Sequence, residues 1–255
     1  MMLKVYKYLL FTLEMLFSLI FLIFTIMFTI SSIHNIKMTE EVKKFIDSAK
    51  FEYKDNDNDI YYYVVETTNL DTPVLNIENS YYNTPTLGNT GDIFLMPQSR
   101  MDYIPFFAQF VSTLFGGHAG VVIDGGERII EAMGGTAAEA YVFKNNNDSF
   151  SEERTVIGMR VNASLEERER AAENAKTLVG KGYNYLYIFN TLNSYYCTDV
   201  CSRVYGKEFG MNYNIDTNGF HVSVQDLFRS NDTYITFVKY KIGNETHIYY
   251  LKNVN

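Results

Sequence analysis

The hydrophobic pattern opens with an unbroken apolar run. Residues Met15 to Ile33 carry no charge and are mostly Leu, Ile, Phe, Met and Thr. A helix of that length spans about 28 Å, close to the ~30 Å hydrocarbon core of a bilayer. A buried core helix would show a polar face, and this run has none. Beyond it the period changes. Val42, Phe45, Ile46 and Ala49 are spaced as on a helix and predict a short stalk helix over Met38–Lys50. Asp55 to Asp59 is a polar break, and Ile60 to Glu66, rich in Tyr and Val, predicts a strand. Residues 67–90 carry Thr, Asn, Pro73 and Pro85 and predict loop with one short strand. Gly91-Asp92 then opens the apolar run Ile93 to Met96.

Met101 to Phe115 is apolar and aromatic and predicts a helix, ended by Gly116-Gly117. Ala119 to Ile123, the turn Asp124-Gly125-Gly126 and Arg128 to Met133 predict a β-hairpin. Val156 to Val161 predicts another strand. Ser164-Leu165-Glu166-Glu167 is a capping box, in which Ser164 accepts the Glu167 N–H and the Glu167 carboxylate reaches back. The helix it starts is expected to run to Val179, stop at Gly180, and bury Leu165, Ala172, Ala175 and Val179. The segment after Cys197 predicts a helix to Tyr205 with Gly206 as its stop; Tyr234 to Lys239 and His247 to Leu251 predict closing strands. The pattern is α+β: a small, mostly antiparallel sheet with packed helices, plus one N-terminal transmembrane helix.

Charge and composition narrow the classes. The chain has 255 residues and a formal net charge of -8, with no basic run long enough to bind phosphates, which excludes a nucleic-acid partner. Two cysteines cannot make a disulfide framework or a CxxC-type zinc site, and no cofactor or metal is called for. Lys4 and Lys7 precede the apolar run as in an export signal. Thr29-Ile30-Ser31 is a poor cleavage site, and no cysteine follows to take a lipid, so the segment is read as an uncleaved signal anchor. Lys37, Lys43 and Lys44 balance the basic count on the other side, so the positive-inside rule does not fix the orientation. The extreme N-terminal position favours export, with the domain outside the cell. The expected organisation is a membrane anchor over 1–36, a stalk helix and accessory strand over 37–87, and one α+β domain over 88–255.

The residues that carry chemistry lie in the last of these. A cysteine nucleophile needs a thiolate, a base, and a group that orients the base. Cys197 stands where a loop turns into a helix, so helical N–H groups would favour its thiolate, and its own N–H is one oxyanion donor. Asp199 suits the first turn electrostatically. Cys201 lies one turn deeper on the same face, too far for a disulfide, and is expected to pack with Val204. His118 sits between Gly117 and Ala119, where small neighbours leave room for an imidazole. Hairpin pairing brings Glu131 near it, a carboxylate placed to fix the imidazole tautomer. Taken singly, each has a plainer explanation: a buried free cysteine, a structural histidine, an edge carboxylate.

The order of the blocks changes that balance. GDIFL from Gly91, GHAGVVID from Gly117, IIEAMGG from Ile129, GKGYNYLYIF from Gly180 and YYCTDVCSRVYG from Tyr195 follow one another around a capped Ala-rich helix. Over roughly residues 88–240 this resembles the circularly permuted papain-like amidases of the YaeF/YiiX family, distant relatives of NlpC-type cell-wall hydrolases, in which the His strand precedes the Cys helix. The resemblance implies Cys197 as nucleophile, His118 as base and Glu131 as orienting carboxylate. It departs at Thr198-Asp199, where Ser-Glu is commoner, and at Val200-Cys201-Ser202, in place of a more aliphatic turn. The implied activity is a cysteine amidase or peptidase working through a thioester, on cell-wall peptides or other amide-linked substrates. A lipid acyl hydrolase or acyltransferase on the same fold, and a non-catalytic binding module, remain as alternatives. Tyr183, Tyr185, Tyr195 and Tyr196 are candidates for a second oxyanion donor or the cleft lining.

Three further signals are set aside. Asp55, Asp57, Asp59 and Glu66 match calcium-loop positions, but Ile60 stands where that loop needs glycine, and a strand follows. His221 is a second potential base, only 24 residues after the cysteine. Asn-x-Ser/Thr triplets at Asn147, Asn231 and Asn244 matter only in a glycosylating host.

Overall fold

The structure is a computed structural model that describes residues 2–81, 84–97, 117–134, 141–146, 150, 155–187, 191, 193–215 and 221–254. The helix expected over 101–115 and the Asn147 triplet lie outside these residues.

The apolar run forms part of one continuous helix, α1 (Met2–Asp47), rather than an anchor followed by a separate stalk. Its apolar half is exposed, and it is long and apolar enough to cross a membrane. Its C-terminal end packs on the body of the protein. Met38 is buried there, and Val42, Phe45 and Ile46, helical as their spacing predicts, pack with Ala49 against the core instead of forming a stalk.

Strands β1 (Lys50–Asp55) and β2 (Ile60–Thr67) form a hairpin whose turn is held by the Asp55 carboxylate, which accepts from the Asp57 N–H and the Asn58 amide. A separate ribbon follows, β3 (Leu75–Tyr81) with β4 (Thr84–Leu87), where the sequence predicts one short strand. Then come β5 (Ile93–Met96), β6 (His118–Ile123), β7 (Arg128–Met133), β8 (Tyr141–Asn146) and β9 (Thr155–Val161). The capped helix is α2 (Leu165–Thr177), and the short strands β10 (Gly182–Tyr183) and β11 (Ser194–Tyr195) lead to the cysteine helix α3 (Cys197–Arg203). The chain closes with α4 (Val224–Arg229), β12 (Thr233–Ile242) and β13 (Glu245–Asn253).

Among the described residues, all strands but the ribbon join one sheet, in the order β1-β2-β13-β12-β9-β5-β6-β7-β8-β10-β11. Two pairs, β2 with β13 and β10 with β11, are parallel; the other pairs are antiparallel. The architecture is therefore mixed α and β with a mostly antiparallel sheet, as expected. The sheet is not small: at eleven strands it includes the segment expected as accessory, because β2 aligns along the whole of β13.

The Ser164–Glu167 capping box forms as its spacing requires. The buried face of α2 differs from the expectation. Arg168, Ala171, Ala172, Ala175 and Leu178 are inside, whereas Leu165 and Val179 are exposed. The reason is ionic: Arg168 turns inward to bond the Asp71 carboxylate and the Ala163 carbonyl, and that rotation sets the face. The same Asp71 reaches Arg160, which is fully buried against Asp92 through two bonds of 2.8 and 2.9 Å. Gly91, just before Asp92, has φ +85°, and a Cβ there would lie 2.6 Å from the Arg168 backbone oxygen. Its carbonyl accepts from Tyr205 of the segment after α3 at 2.6 Å. The Gly-Asp pair thus pins strand β5 to two helical segments.

Candidate active site

The site is built where the β6–β7 hairpin meets the start of α3. In the hairpin, Gly120 pairs with Glu131. Alternation then puts His118, Gly120, Glu131 and Ile129 on one face, with His118 and Glu131 as diagonal neighbours. Glu131 Oε2 bonds His118 Nε2 at 2.5 Å, and both side chains are buried. The His118 ring also lies 5.8 Å from that of Phe150, at an interplanar angle of 23°. Gly117 precedes it because the chain passes the Met96 carbonyl so closely that a Cβ would sit 1.6 Å from that oxygen.

Helix α3 lies across β6 and β7, with Val200, Cys201 and Val204 in the core beside Ala119, Val121, Ile130 and Ala132. This packing brings Cys197, first in the helix, to the start of β6. Its sulfur interacts with His118 by charge and hydrogen bond, and accepts from the backbone N–H groups of Ala119 and Thr198. With Nε2 committed to Glu131, Nδ1 is the ring nitrogen left for the sulfur.

The electrostatics follow from these contacts. Burial pushes the Cys197 thiol up, but the His118 charge, its hydrogen bond and the two backbone donors outweigh it and lower the thiol below its usual value. Burial pulls His118 down, but the Cys197 thiolate and the Glu131 carboxylate push it up to about 9. The favoured resting state is a thiolate–imidazolium pair. Cys201 goes the other way: burial first, then the charges of Cys197 and Asp199, raise it well above an ordinary thiol. Both cysteines are free. Iodoacetamide is therefore expected to alkylate Cys197 at neutral pH and leave Cys201 unmodified, as read by peptide mass spectrometry. Equal, slow labelling of the two would contradict an activated Cys197.

The tyrosine candidates separate. Tyr195 stacks under Arg203, whose guanidinium is 4.3 Å from its ring centroid, and the Tyr196 hydroxyl accepts the Val222 N–H. Tyr185 is half exposed. Tyr183 is within electrostatic reach of the Cys197 sulfur, and so is Tyr187, which sequence reasoning does not single out. Their hydroxyls are 3.2 Å apart. Burial raises both above the ordinary tyrosine range and the sulfur's charge adds to it, with the Tyr183 bond pulling Tyr187 partly back. Both therefore stay protonated as donors. Tyr187 has φ +58°, a left-handed conformation that a bulky residue rarely adopts. No local sequence signal marks it. Asp199 is buried and ion-paired with Arg203 at 3.4 Å. Among the described residues no group of three or more His, Cys, Asp or Glu side chains is arranged to hold a metal ion.

The family described as permuted papain-like amidase enzyme, YaeF/YiiX, C92 family, matches residues 89–239, more than half of the chain. The chain belongs to this family. The match spans β5 to most of β12 and contains Cys197, His118 and Glu131. Membership makes the protein an amidase- or peptidase-type cysteine hydrolase. Among solved structures, the chain is similar to the metalloprotein yiiX from Escherichia coli O157:H7, at 19% identity and a TM-score of 0.45, over 58% of this chain and 96% of that one. No curated protein matches the chain.

Proposed function

We propose that the protein is a membrane-anchored amidase whose nucleophile is Cys197, with His118 as base and acid and Glu131 as the carboxylate that orients it. The observation that carries this reading is the continuous contact of sulfur, imidazole and carboxylate at the mouth of the hairpin. In the proposed cycle the Cys197 thiolate attacks the amide carbonyl carbon. The oxyanion takes a hydrogen bond from the Cys197 N–H and a second from the Tyr183 hydroxyl, which Tyr187 steadies. Collapse breaks the C–N bond, and imidazolium His118 passes its proton to the leaving amine. Neutral His118 then deprotonates water, which attacks the thioester and releases the acid, restoring the thiolate. The dependence of kcat/KM on pH is expected to be bell-shaped. The acid limb falls below the ordinary thiol value, where the thiolate is lost. The alkaline limb falls near 9, where His118 loses the proton it must donate.

The anchor reading rests on α1, whose apolar half is exposed and long enough to span a bilayer. Residues 1–36 would lie in and beside the membrane, 37–87 would join them to the sheet, and 88–255 would form the hydrolase unit, outside the cell. Because the end of α1 packs on the core, no free stalk would separate the hydrolase from the lipid surface. Cell-wall stem peptides are the favoured substrates. A second reading, lipid acyl hydrolysis, draws on Tyr185 and Leu186, both exposed on the loop between Tyr183 and Tyr187.

Incubating the full chain in detergent with p-nitrophenyl acetate is expected to leave an acetyl group on the Cys197 peptide, removable by hydroxylamine. No acyl-enzyme, or acylation elsewhere, would return the protein to a binding role or to another nucleophile. Offering purified peptidoglycan and phospholipid vesicles in parallel separates the two substrate readings by which one releases product.

A further inference from the structure

The two residues that flank Cys197 are tied to a single distant peptide unit. The Thr198 hydroxyl donates to the Val222 carbonyl at 2.6 Å, and the Val222 N–H donates to the Tyr196 hydroxyl at 2.8 Å. Both backbone groups of Val222 are thus spent on the neighbours of one cysteine. All three residues are buried, so each bond works in a low-dielectric setting without competing water. No side-chain cap holds the start of α3, whose N-cap is Tyr196; the two bonds tie its first turn to Val222 instead.

Val222 is itself a fixed reference. It precedes the capping box of α4, in which Ser223 and Asp226 bond reciprocally. Helix α4 packs on α3, and its outer side is gripped by α1: the Gln225 amide donates to Asn35 Oδ1 at 2.6 Å, and Arg229 donates to His34 Nε2 at 2.6 Å. The Tyr196 ring, held by its hydroxyl, packs 5.4 Å from the Tyr187 ring. The Thr198 N–H that bonds the Cys197 sulfur belongs to the residue whose side chain is tethered.

We propose that Thr198 and Tyr196 are positioning residues, which lock the nucleophile to the Val222–Arg229 segment through the two backbone groups of Val222. Their side chains act on Val222, and Thr198 also meets the reacting sulfur through its backbone N–H. They act by holding the Cys197 sulfur in line with the Thr198 N–H and with His118. The proposal rests on Cys197 being the nucleophile.

The test uses the full chain in detergent and iodoacetamide as the probe, with Cys197 and Cys201 followed separately by mass spectrometry along the acid limb of the pH–rate profile. Thr198→Val, which keeps the shape and removes the hydroxyl, is expected to slow Cys197 alkylation there about tenfold, the effect of raising a thiol pKa by one unit where the thiolate is the minor form. Thr198→Ser, which restores the hydroxyl, is expected to return the rate to within about twofold of the parent. Tyr196→Phe is expected to slow alkylation like Thr198→Val, and it decides the matter if Thr198→Val does not fold. Parent-like rates in both variants overturn the proposal. So does faster Cys201 labelling in them without a selective loss at Cys197, which marks loosened packing alone. A parent chain in which Cys197 is not preferentially alkylated refutes the nucleophile reading instead.

Discussion

Cys197→Ala is expected to lower kcat/KM for amide hydrolysis by about 10⁴-fold or more, and His118→Ala by a similar factor. The double variant is expected to be no worse than either single one. A thiolate without its imidazolium partner loses both its low pKa and its acid. An imidazole without the thiolate has nothing to activate. Groups that act as a unit do not add. Two independent, additive losses would mean that the residues do not work together. Glu131→Gln is expected to act differently. It removes one of the two negative partners that hold the His118 proton, so the alkaline limb should move below its position near 9, with a smaller loss at neutral pH. An unchanged alkaline limb would argue that Glu131 does not tune His118.

Asp92→Asn is expected to cost about 3–5 kcal/mol of stability, because it leaves the guanidinium of Arg160 buried without its main anion. Burial opposes the charge on Arg160, and the Asp92 carboxylate is the main group that sustains it, with Asp71 adding less. Asp92 also accepts the Asn89 N–H at 2.8 Å, so the turn entering β5 loosens with it. Replacing both partners by apolar residues of similar volume, as in Asp92→Leu with Arg160→Met, should be better tolerated than removing either alone. The desolvation penalty then disappears together with the attraction. Thermal melting of the full chain in detergent measures both. A single Asp92→Asn variant that melts with the parent would show that the pair carries no net stability.

These two predictions differ in how much of their basis can be read along the chain. The β6–β7 hairpin is legible because its contacts are local: a turn of Asp-Gly-Gly between two alternating strands sets a register, and that register brings Glu131 to His118. The capping box of α2 is legible because its bonds close within four residues. The different fates of the two cysteines follow from their spacing of one helical turn once Cys197 opens the helix. By contrast, β1, β8, β10 and β11 do not stand out in the hydrophobic pattern. β10 and β11 are two residues long, and such strands form only where a neighbour offers its edge. The inward turn of α2 is hidden because Arg168 reads as a surface charge, and its partner Asp71 is 97 residues away.

The sequence alone determined an apolar segment of membrane-spanning length, a histidine–carboxylate hairpin and a cysteine at a helix start, in the order of one enzyme family. These depend on periodicity, turn chemistry and capping, which act over a few residues. Only the tertiary structure decided that α1 ends on the core, that Tyr187 joins Tyr183 within electrostatic reach of the sulfur, and that Val222 grips both neighbours of Cys197. It also turned Gly91-Asp92, in the sequence only the opening of an apolar run, into a buried ionic clasp. Each of these contacts joins segments far apart in the chain or depends on how a loop is set against the helix that follows. Their geometry is fixed by how the sheet and helices pack, and no local pattern of residues encodes it.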